Sequence, residues 1–594
     1  MPKKKTAQTD PPKKRLASKI NVSSSIKNES VERDDDESVS TSITEPLPPR
    51  RPLLRILMVA DGIIDFGECN HGLSELINKG LLPMNSVNLR VVITTAHRRL
   101  MRNDDCDDGR ITADILDFRF TNPLPPGNRP LDIRDYDQLW LFGFEKTYYD
   151  VGYSSETLAP QELAVIFKFM QDGGGVFATG DHEDIGRALC GAIPRVKSMR
   201  LWNFVDASPP PMSPPVGGPH RHDTLRWGID RSFHPTVQSD RIPQTIIPRF
   251  YKATSLSPEY PHPLLVNGDA VIDILPDHMH EGEVLVPTDL TAPVVLPDIP
   301  PSEEYPRLPG QQTRLAPEII AMSFPDPLNS TVIPRCFKTI CAYDGHRVGV
   351  GRVVAQSTWH HFININLRGT RPEERPYTSL KIGFYTQENT TAPKVQTPEY
   401  EIIKQYFRNI VRWLSSAQKN TRLYAALLDE LKSASPIVEE VWPNPNPSWD
   451  DIFLAGESVR KLISDVYSPA EALTCALALT GTLSQEIQYT IKTLIDPWEP
   501  SSLRNEKKNV LFDPRIGTDA VLGGAIIQLV TETSAGFSKA GATTDDVLTR
   551  GNELEAIVTR GVNLGVNSLA QMIEESNGDL QNLSSILKEH GKES

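Results

Sequence analysis

The 594-residue chain lacks the spacings by which cysteine announces its chemistry. Its six cysteines, at 69, 106, 190, 336, 341 and 475, make no CxxC pair and none of the dense patterns of a disulfide framework or zinc ribbon. Reduced, mostly buried thiols are the expectation. Long apolar runs are missing too: no apolar h-region opens the chain, and the stretch Ala520 to Val530 is short and interrupted by two glycines. No membrane partner is expected, and the protein reads as soluble and cytoplasmic. Excess positive charge is absent, since a net charge of −14 argues against a phosphate-binding surface spread over the whole protein. Nucleic acid is not an expected partner beyond the basic clusters Lys3 to Lys5 and Lys13 to Arg15. There is no Walker A motif, no GxGxxG after the first strand, no GxSxG elbow and no HExxH. Gly349-Val350-Gly351 lies inside a β-branched run and reads as strand, so no nucleotide cofactor is expected.

What is present describes a globular protein of more than one folded unit. Hydrophobic residues make up 39% and charged residues 23%, and 50 prolines imply long loops or insertions. Residues 1–52 contain no aromatic residue and pass from basic through Ser-rich to acidic sequence, a composition too poor in apolar surface to fold. From Leu53 the rhythm becomes strand, helix, strand. Leu53 to Ala60 is an apolar run ending at Asp61-Gly62, Leu73 to Leu81 is helix-compatible, and Arg90 to Thr95 and Gln138 to Phe142 are further strands. A helix follows, with Pro160 in its first turn and Gly173 to Gly175 stopping it. Val176 to Thr179 then reads as a strand, and Gly180-Asp181-His182-Glu183-Asp184 turns into another helix closed by Gly191 and Pro194.

Between Val205 and Tyr260 no period is visible, which suggests a long insertion over the sheet, in the manner of a lid. Strand-like runs return at Ala270 to Leu275, Val348 to Ala355 and Phe362 to Leu367, and the amphipathic helix Tyr400 to Leu414 closes the unit. Helical patterns then fill the rest, at Leu423 to Leu431, Val459 to Val466, Pro469 to Leu483, Asp519 to Thr533 and Asp546 to Leu587, the last with a break at Asn577-Gly578. The predicted organisation is a charged, disordered tail (1–52), an α/β domain with a doubly wound, mainly parallel sheet and Pro-rich insertions (53–415), and an all-α C-terminal domain (416–594). The helical stripes suit either a bundle core or a surface for a protein partner or self-association.

The run Tyr136 to Gly186, with strand Leu139-Trp140-Leu141-Phe142, amphipathic helix, Asp172-Gly173-Gly174-Gly175, strand, turn and helix, resembles the class I glutamine amidotransferase-like superfamily, above all its ThuA-like branch. The resemblance extends over 53–415 and implies a flavodoxin- or amidotransferase-like sheet. It implies a cysteine nucleophile in the turn after the equivalent strand, but here that turn is Thr179-Gly180-Asp181-His182-Glu183. Cys190 lies too far along the next helix to replace it and is expected to be buried and inert, so the chain is not a glutamine amidotransferase. ThuA-like proteins commonly carry His in that place, and His182 lies within two residues of it.

Ten of the thirteen histidines fall between 182 and 361. Six of them sit in four short motifs: Gly180-Asp181-His182-Glu183-Asp184, Pro276-Asp277-His278-Met279-His280-Glu281-Gly282-Glu283, Tyr343-Asp344-Gly345-His346 and Ser357-Thr358-Trp359-His360-His361. Asp181, His182 and Glu183 are the candidate catalytic residues. His278 and His280, two apart and on one side of an extended segment, are candidate ligands for a divalent metal (Zn, Mn or Fe), with His360 as a third. His360 and His361 should face opposite ways. Arg195 and Arg200 read either as anion-binding or as structural. The acidic turn would repel an anion, which points to a neutral, hydroxyl-rich ligand or a cation. Two functions are consistent with this pattern. One is a hydrolase or lyase on a carbohydrate-like or other polar metabolite, metal-assisted or not; the other is a non-catalytic sensor or scaffold that signals through its helices. The motifs share one sheet edge if the strand at Ala270 to Leu275 runs parallel to Val176 to Thr179.

Overall fold

The computed structural model describes residues 52–86, 89–98, 109–145, 157–181, 184–202, 243–252, 257–276, 282–323, 336–369, 383–386, 395–432, 434–499, 513–533 and 544–590. The charged tail and most of the Pro-rich insertion lie outside them, as do the expectations placed there.

β1 (Leu53–Ala60) is apolar on both faces because both faces are covered. Ile56 and Met58 enter one core layer and Leu57 and Val59 the other, the alternation that a pleated strand imposes. β2 (Arg90–His97), β3 (Gln138–Phe142) and β4 (Gly175–Thr179) follow, with helix α1 (Pro160–Gln171) between the last two. Pro160 stands at the start of α1, where no backbone N–H is required, and the Glu162 carboxylate accepts the Ala159 N–H at 3.0 Å. Short helices α2 (Arg187–Cys190) and α3 (Val196–Met199) come next, then β5 (Gln244–Pro248), β6 (Ile274–Leu275), β7 (Glu318–Ser323), β8 (Phe337–Tyr343) and β9 (Val353–Gln356). Helices α4 (Asn364–Arg368) and α5 (Pro398–Leu414) complete this part.

The nine strands form one sheet in the order β6-β5-β7-β8-β9-β4-β3-β1-β2. β2, β1, β3, β4 and β9 are mutually parallel. Four antiparallel pairings, β9–β8, β8–β7, β7–β5 and β5–β6, extend the sheet. Only β5 and β8 therefore run against the other strands, and β6 has the sense of β4. One face packs Met58, Trp140 and Phe177 on Phe362 and on Tyr406 and Phe407 of α5, whereas the other packs Leu57, Leu141 and Val176 on Ile166, Phe169 and Met170 of α1. With β2 on one side of β1 and β3 on the other, the strand order reverses at β1/β3. In α/β sheets the crevice outside such carboxyl ends is where ligands bind.

Several local expectations are corrected. Phe362 to Leu367 is not a strand: it ends a 3-10 turn and forms α4. Asn364 and Asn366 imitate the polar face of a strand, yet both are buried and bonded inward. β9 begins only at Val353, because Gly345–Val348 forms a 3-10 turn. Ala270 to Leu275 divides into a short hairpin strand, Ala270–Val271, and β6. The non-periodic segment contributes a sheet strand, β5. Cys190, Cys341 and Cys475 are free and buried as expected, Cys336 is free but exposed, and Cys69 is disulfide-bonded.

From residue 416 onward the described residues contain helices and no strand: α6 (Ala417–Leu431), α7 (Ser435–Glu440), α8 (Trp449–Val466), α9 (Pro469–Leu479), α10 (Gln485–Ile495), α11 (Pro514–Thr533) and α12 (Thr544–His590). No described helix is long and apolar enough to cross a membrane. α12 runs through Asn577-Gly578 without a break. Gly578 meets nothing, so its cost is only the weaker helix propensity of glycine, about 1 kcal/mol, which a long packed helix absorbs. α11 packs against both α8 and α12. At its crossing with α8 the backbones approach so closely that a Cβ on Gly523 would collide with the Ile452 carbonyl, and one on Gly456 with that of Asp519. A Gly523→Val substitution should lower unfolding stability by roughly 1–3 kcal/mol in urea titrations. An unchanged midpoint would contradict the close crossing.

Candidate active site

Five strand ends converge at the carboxyl edge. Asp61 follows β1, and Gly143 to Glu145 follow β3. The Asp61 Oδ1 accepts the N–H groups of Phe144 and Glu145 at 2.6 and 3.1 Å, so one carboxyl bridges the reversal point of the sheet. Asp61 is 2% exposed. Burial, reinforced by the Glu145 charge and opposed by the two N–H bonds and Arg98, pushes its pKa up to about 7. From the end of β2, Arg98 is committed elsewhere, to a buried ion pair with Glu162 at 2.7 Å. Beside it the His97 Nε2–H donates to the Gly62 carbonyl at 3.2 Å.

Past β4 comes Asp181, 1% exposed. Its Oδ1 accepts the Thr358 hydroxyl at 2.8 Å, and its Oδ2 stands 3.4 Å from His360 Nε2. Thr358 also caps the 3-10 turn Trp359–His361, its Oγ1 accepting the His360 N–H at 3.1 Å. The same hydroxyl thus orients both members of an Asp–His pair. The other nitrogen of His360 lies 3.4 Å from Asn366 Oδ1, while the adjacent His361 turns the opposite way, with Nδ1 2.5 Å from Gln356 Nε2.

Arg200, 1% exposed, holds this corner together. Its Nη2 donates to the carbonyls of Asp181 and Ser357, its Nε to Gln356 O at 3.2 Å and its Nη1 to Leu201 O at 2.9 Å. Burial lowers its pKa to about 10, against the Asp181 charge, so the guanidinium remains charged at neutral pH. Arg195 is likewise sealed in, donating to Glu304 O at 2.8 Å and Gln171 Oε1 at 2.6 Å. Both arginines are structural. Cys190 is fully buried beneath the site, its thiol pushed well above the ordinary range by burial and then by Asp61.

Described residues of three of the four histidine motifs, Asp181, Gly282 and Ser357, meet here. His182, Glu183, His278 and His280 lie outside the described residues, but the described residues flanking them do not: a Cβ on Gly282 would collide with Ser357 O and stand 3.1 Å from Asp181 O. The parallel sense of β6 and β4 brings both segments to one edge. The fourth motif is elsewhere. β8 runs the other way and delivers Asp344 and His346 to the opposite edge, where Arg352 and Arg347 hold Asp344 at 2.6 and 3.0 Å. Among the described residues no three His, Cys, Asp or Glu side chains form a metal-holding group. His360, expected as a third ligand, has partners at both ring nitrogens.

Aromatic rings also gather at this edge. The Trp359 ring lies 5.7 Å from His71, 5.8 Å from Phe144 and 4.0 Å from His360. Three buried polar atoms at this edge, Ser357 Oγ, Trp359 Nε1 and Asn366 Nδ2, have no hydrogen-bond partner among the described residues. Sequence reasoning missed Asp61, Glu145, Thr358 and Trp359 as site residues. The signal for Asp61 was present, an acid at the end of the first apolar strand, but its partner N–H groups lie in the loop after β3.

Because Asp61 holds its proton up to about pH 7 in the folded chain against 3.8 ordinarily, its contribution to stability is full below pH 3.8 and is lost as pH rises through 7. The loss amounts to at most about 4 kcal/mol. An Asp61→Asn protein should therefore gain on the wild type between pH 5 and 8 in urea unfolding. A difference constant over that range would show that Asp61 ionises normally. No protein-family model matches the chain and no curated protein sequence matches it, so chemistry must be argued from this geometry.

Proposed function

We propose that the carboxyl-edge crevice is a general acid–base site, and that the protein is a hydrolase or lyase acting on a neutral, hydroxyl-rich metabolite. One observation carries the reading: a buried carboxyl at the reversal point of the sheet, held near neutrality, where a proton can be given and taken back at physiological pH. Burial, with the Glu145 charge adding to it, sets that pKa. The acids around the crevice disfavour an anionic substrate, and the Trp359 ring, with the unpartnered donors Trp359 Nε1 and Asn366 Nδ2, suits a sugar-like ring bearing hydroxyls. Asp181 and His360 orient the substrate-facing loop, and His182 and Glu183 directly follow Asp181 in sequence. The likeness of Tyr136 to Gly186 to ThuA-like sequences agrees with this reading.

Incubating a polar metabolite extract with the full chain and with Asp61→Asn, followed by mass spectrometry, tests it. A neutral polyhydroxylated compound should be consumed by the wild type, with a rate that titrates near pH 7, and at least about a hundredfold more slowly by the variant. Identical extracts after both incubations would sink the proposal. In its metal-assisted form the reaction adds a divalent ion on His278 and His280. Elemental analysis should then find a stoichiometric metal that the double His278→Ala, His280→Ala protein loses, and a metal-free wild type would remove that form alone.

A further inference from the structure

At the opposite, amino edge of the parallel strands a cavity of 520 Å³ opens between the sheet, α5 and the helices α6, α9 and α10. Small-molecule sites occupy about 300–1,000 Å³, so the volume suits a metabolite-sized guest. We propose that this cavity is a second ligand site, for an organic anion with an apolar body, separate from the acid–base crevice.

Charge bookkeeping decides the sign. The lining includes five cations, Arg347, Arg352, Arg408, Arg412 and Lys492, and four acids, Glu318, Asp344, Glu471 and Asp496. The acids are spoken for. Asp344 is shared by Arg347 and Arg352, and Asp496 pairs with Arg347. Glu318 pairs with Arg249, 3.1 Å away and outside the lining, and Glu471 accepts the Tyr424 hydroxyl at 2.9 Å with Arg412 at 3.9 Å. Among the described residues Arg408 and Lys492 hydrogen-bond only to neutral oxygens, Gly80 O and Gln488 Oε1, each at 3.4 Å.

Burial dominates the protonation of the groups around the cavity. Burial, and then Arg352, lowers the His262 pKa to about 3; burial and Arg352 also hold His346 well below its ordinary value. Burial lowers Lys492 to about 8, and lowers Arg408 too, with Arg412 adding to that shift and Glu401 opposing it. Arg408 and Arg412 stand one turn apart on α5. An anionic head between them would relieve their repulsion and make charge-assisted bonds that neither makes with a carboxylate closer than 3.9 Å. His346 Nε2, buried and without a hydrogen-bond partner among the described residues, adds a neutral polar group. Beside polar residues such as Gln405, Asn409 and Asn420, the wall carries an apolar patch of Leu423, Leu427 and Leu477 from the helical part, which would face the guest's body. Lys492 belongs to α10, which Asp496 caps, and Arg408 to α5, so a guest here touches both the sheet unit and the helices.

Titrating the full chain with 8-anilinonaphthalene-1-sulfonate, and displacing the dye with decanoate or decanol, tests the site. Saturable one-site binding is expected, with decanoate at least tenfold tighter than decanol. Arg408→Gln with Lys492→Gln should weaken both anions at least tenfold while circular dichroism is unchanged, and Ala478→Phe, which narrows the cavity, should abolish dye binding. Should the double variant fail to fold, Arg408→Gln alone carries the test. Equal affinity for decanol and decanoate, unchanged binding in the charge variants, or no saturable binding overturns the proposal. None of these outcomes touches Asp61, so failure here leaves the acid–base reading standing.

Discussion

A single buried guanidinium holds the two inner strand ends in place. Arg200 donates to four main-chain carbonyls, those of Asp181, Leu201, Gln356 and Ser357, and so joins the loop after β4 to the loop after β9. A charge taken out of water is tolerable only when its donors are satisfied, and among the described residues carbonyl oxygens do so. The remaining positive charge sits beside Asp181, and the joined loops set Thr358 and His360 against that carboxylate. Loss of this one side chain would leave the carbonyls of two loops without donors and the Asp–His pair without a frame.

The same edge shows how a sheet turns position into chemistry. Asp61 is unusual because β1 and β3 lie side by side at the point where the strand order reverses, so its carboxyl meets N–H groups of the loop after the neighbouring strand. Those bonds favour the charged form, while burial and Glu145 favour the neutral one, and the balance falls near neutrality. Such a group can change protonation state during a reaction without leaving its place.

The two edges of the sheet carry opposite characters. Acids collect where the parallel strands end, whereas arginines and a lysine collect where they begin and where the helical part meets them. Arg347, bonded to both Asp344 and Asp496, ties the sheet to α10 across that boundary. A neutral guest on one edge and an anionic guest on the other are compatible with one molecule, because the sheet separates the two fields.

Local sequence was enough for much of the architecture. The apolar runs of β1, β3 and β4, each ending in small or acidic residues, and the Pro160-led α1 form where their composition says, because burial on both faces and an orphan-free first turn are local demands. β6 runs parallel to β4, so Asp181 and Pro276 leave the sheet at one edge. Other features were beyond local reach. Asn364 and Asn366 looked like the polar side of a strand because their partners are hundreds of residues away or in a neighbouring turn. Asp344 and His346 left the site because β8 runs backwards, and nothing in the composition of a strand states its direction. Asp61 needs N–H groups from 83 residues further on, and Asp181 needs a hydroxyl from 177 residues further on, before either becomes more than an acid at a strand end. Sequence decided which segments are extended, helical or buried, since those depend on neighbours along the chain. Tertiary structure alone decided the order and direction of the strands, and with them which charges lose their water and face one another.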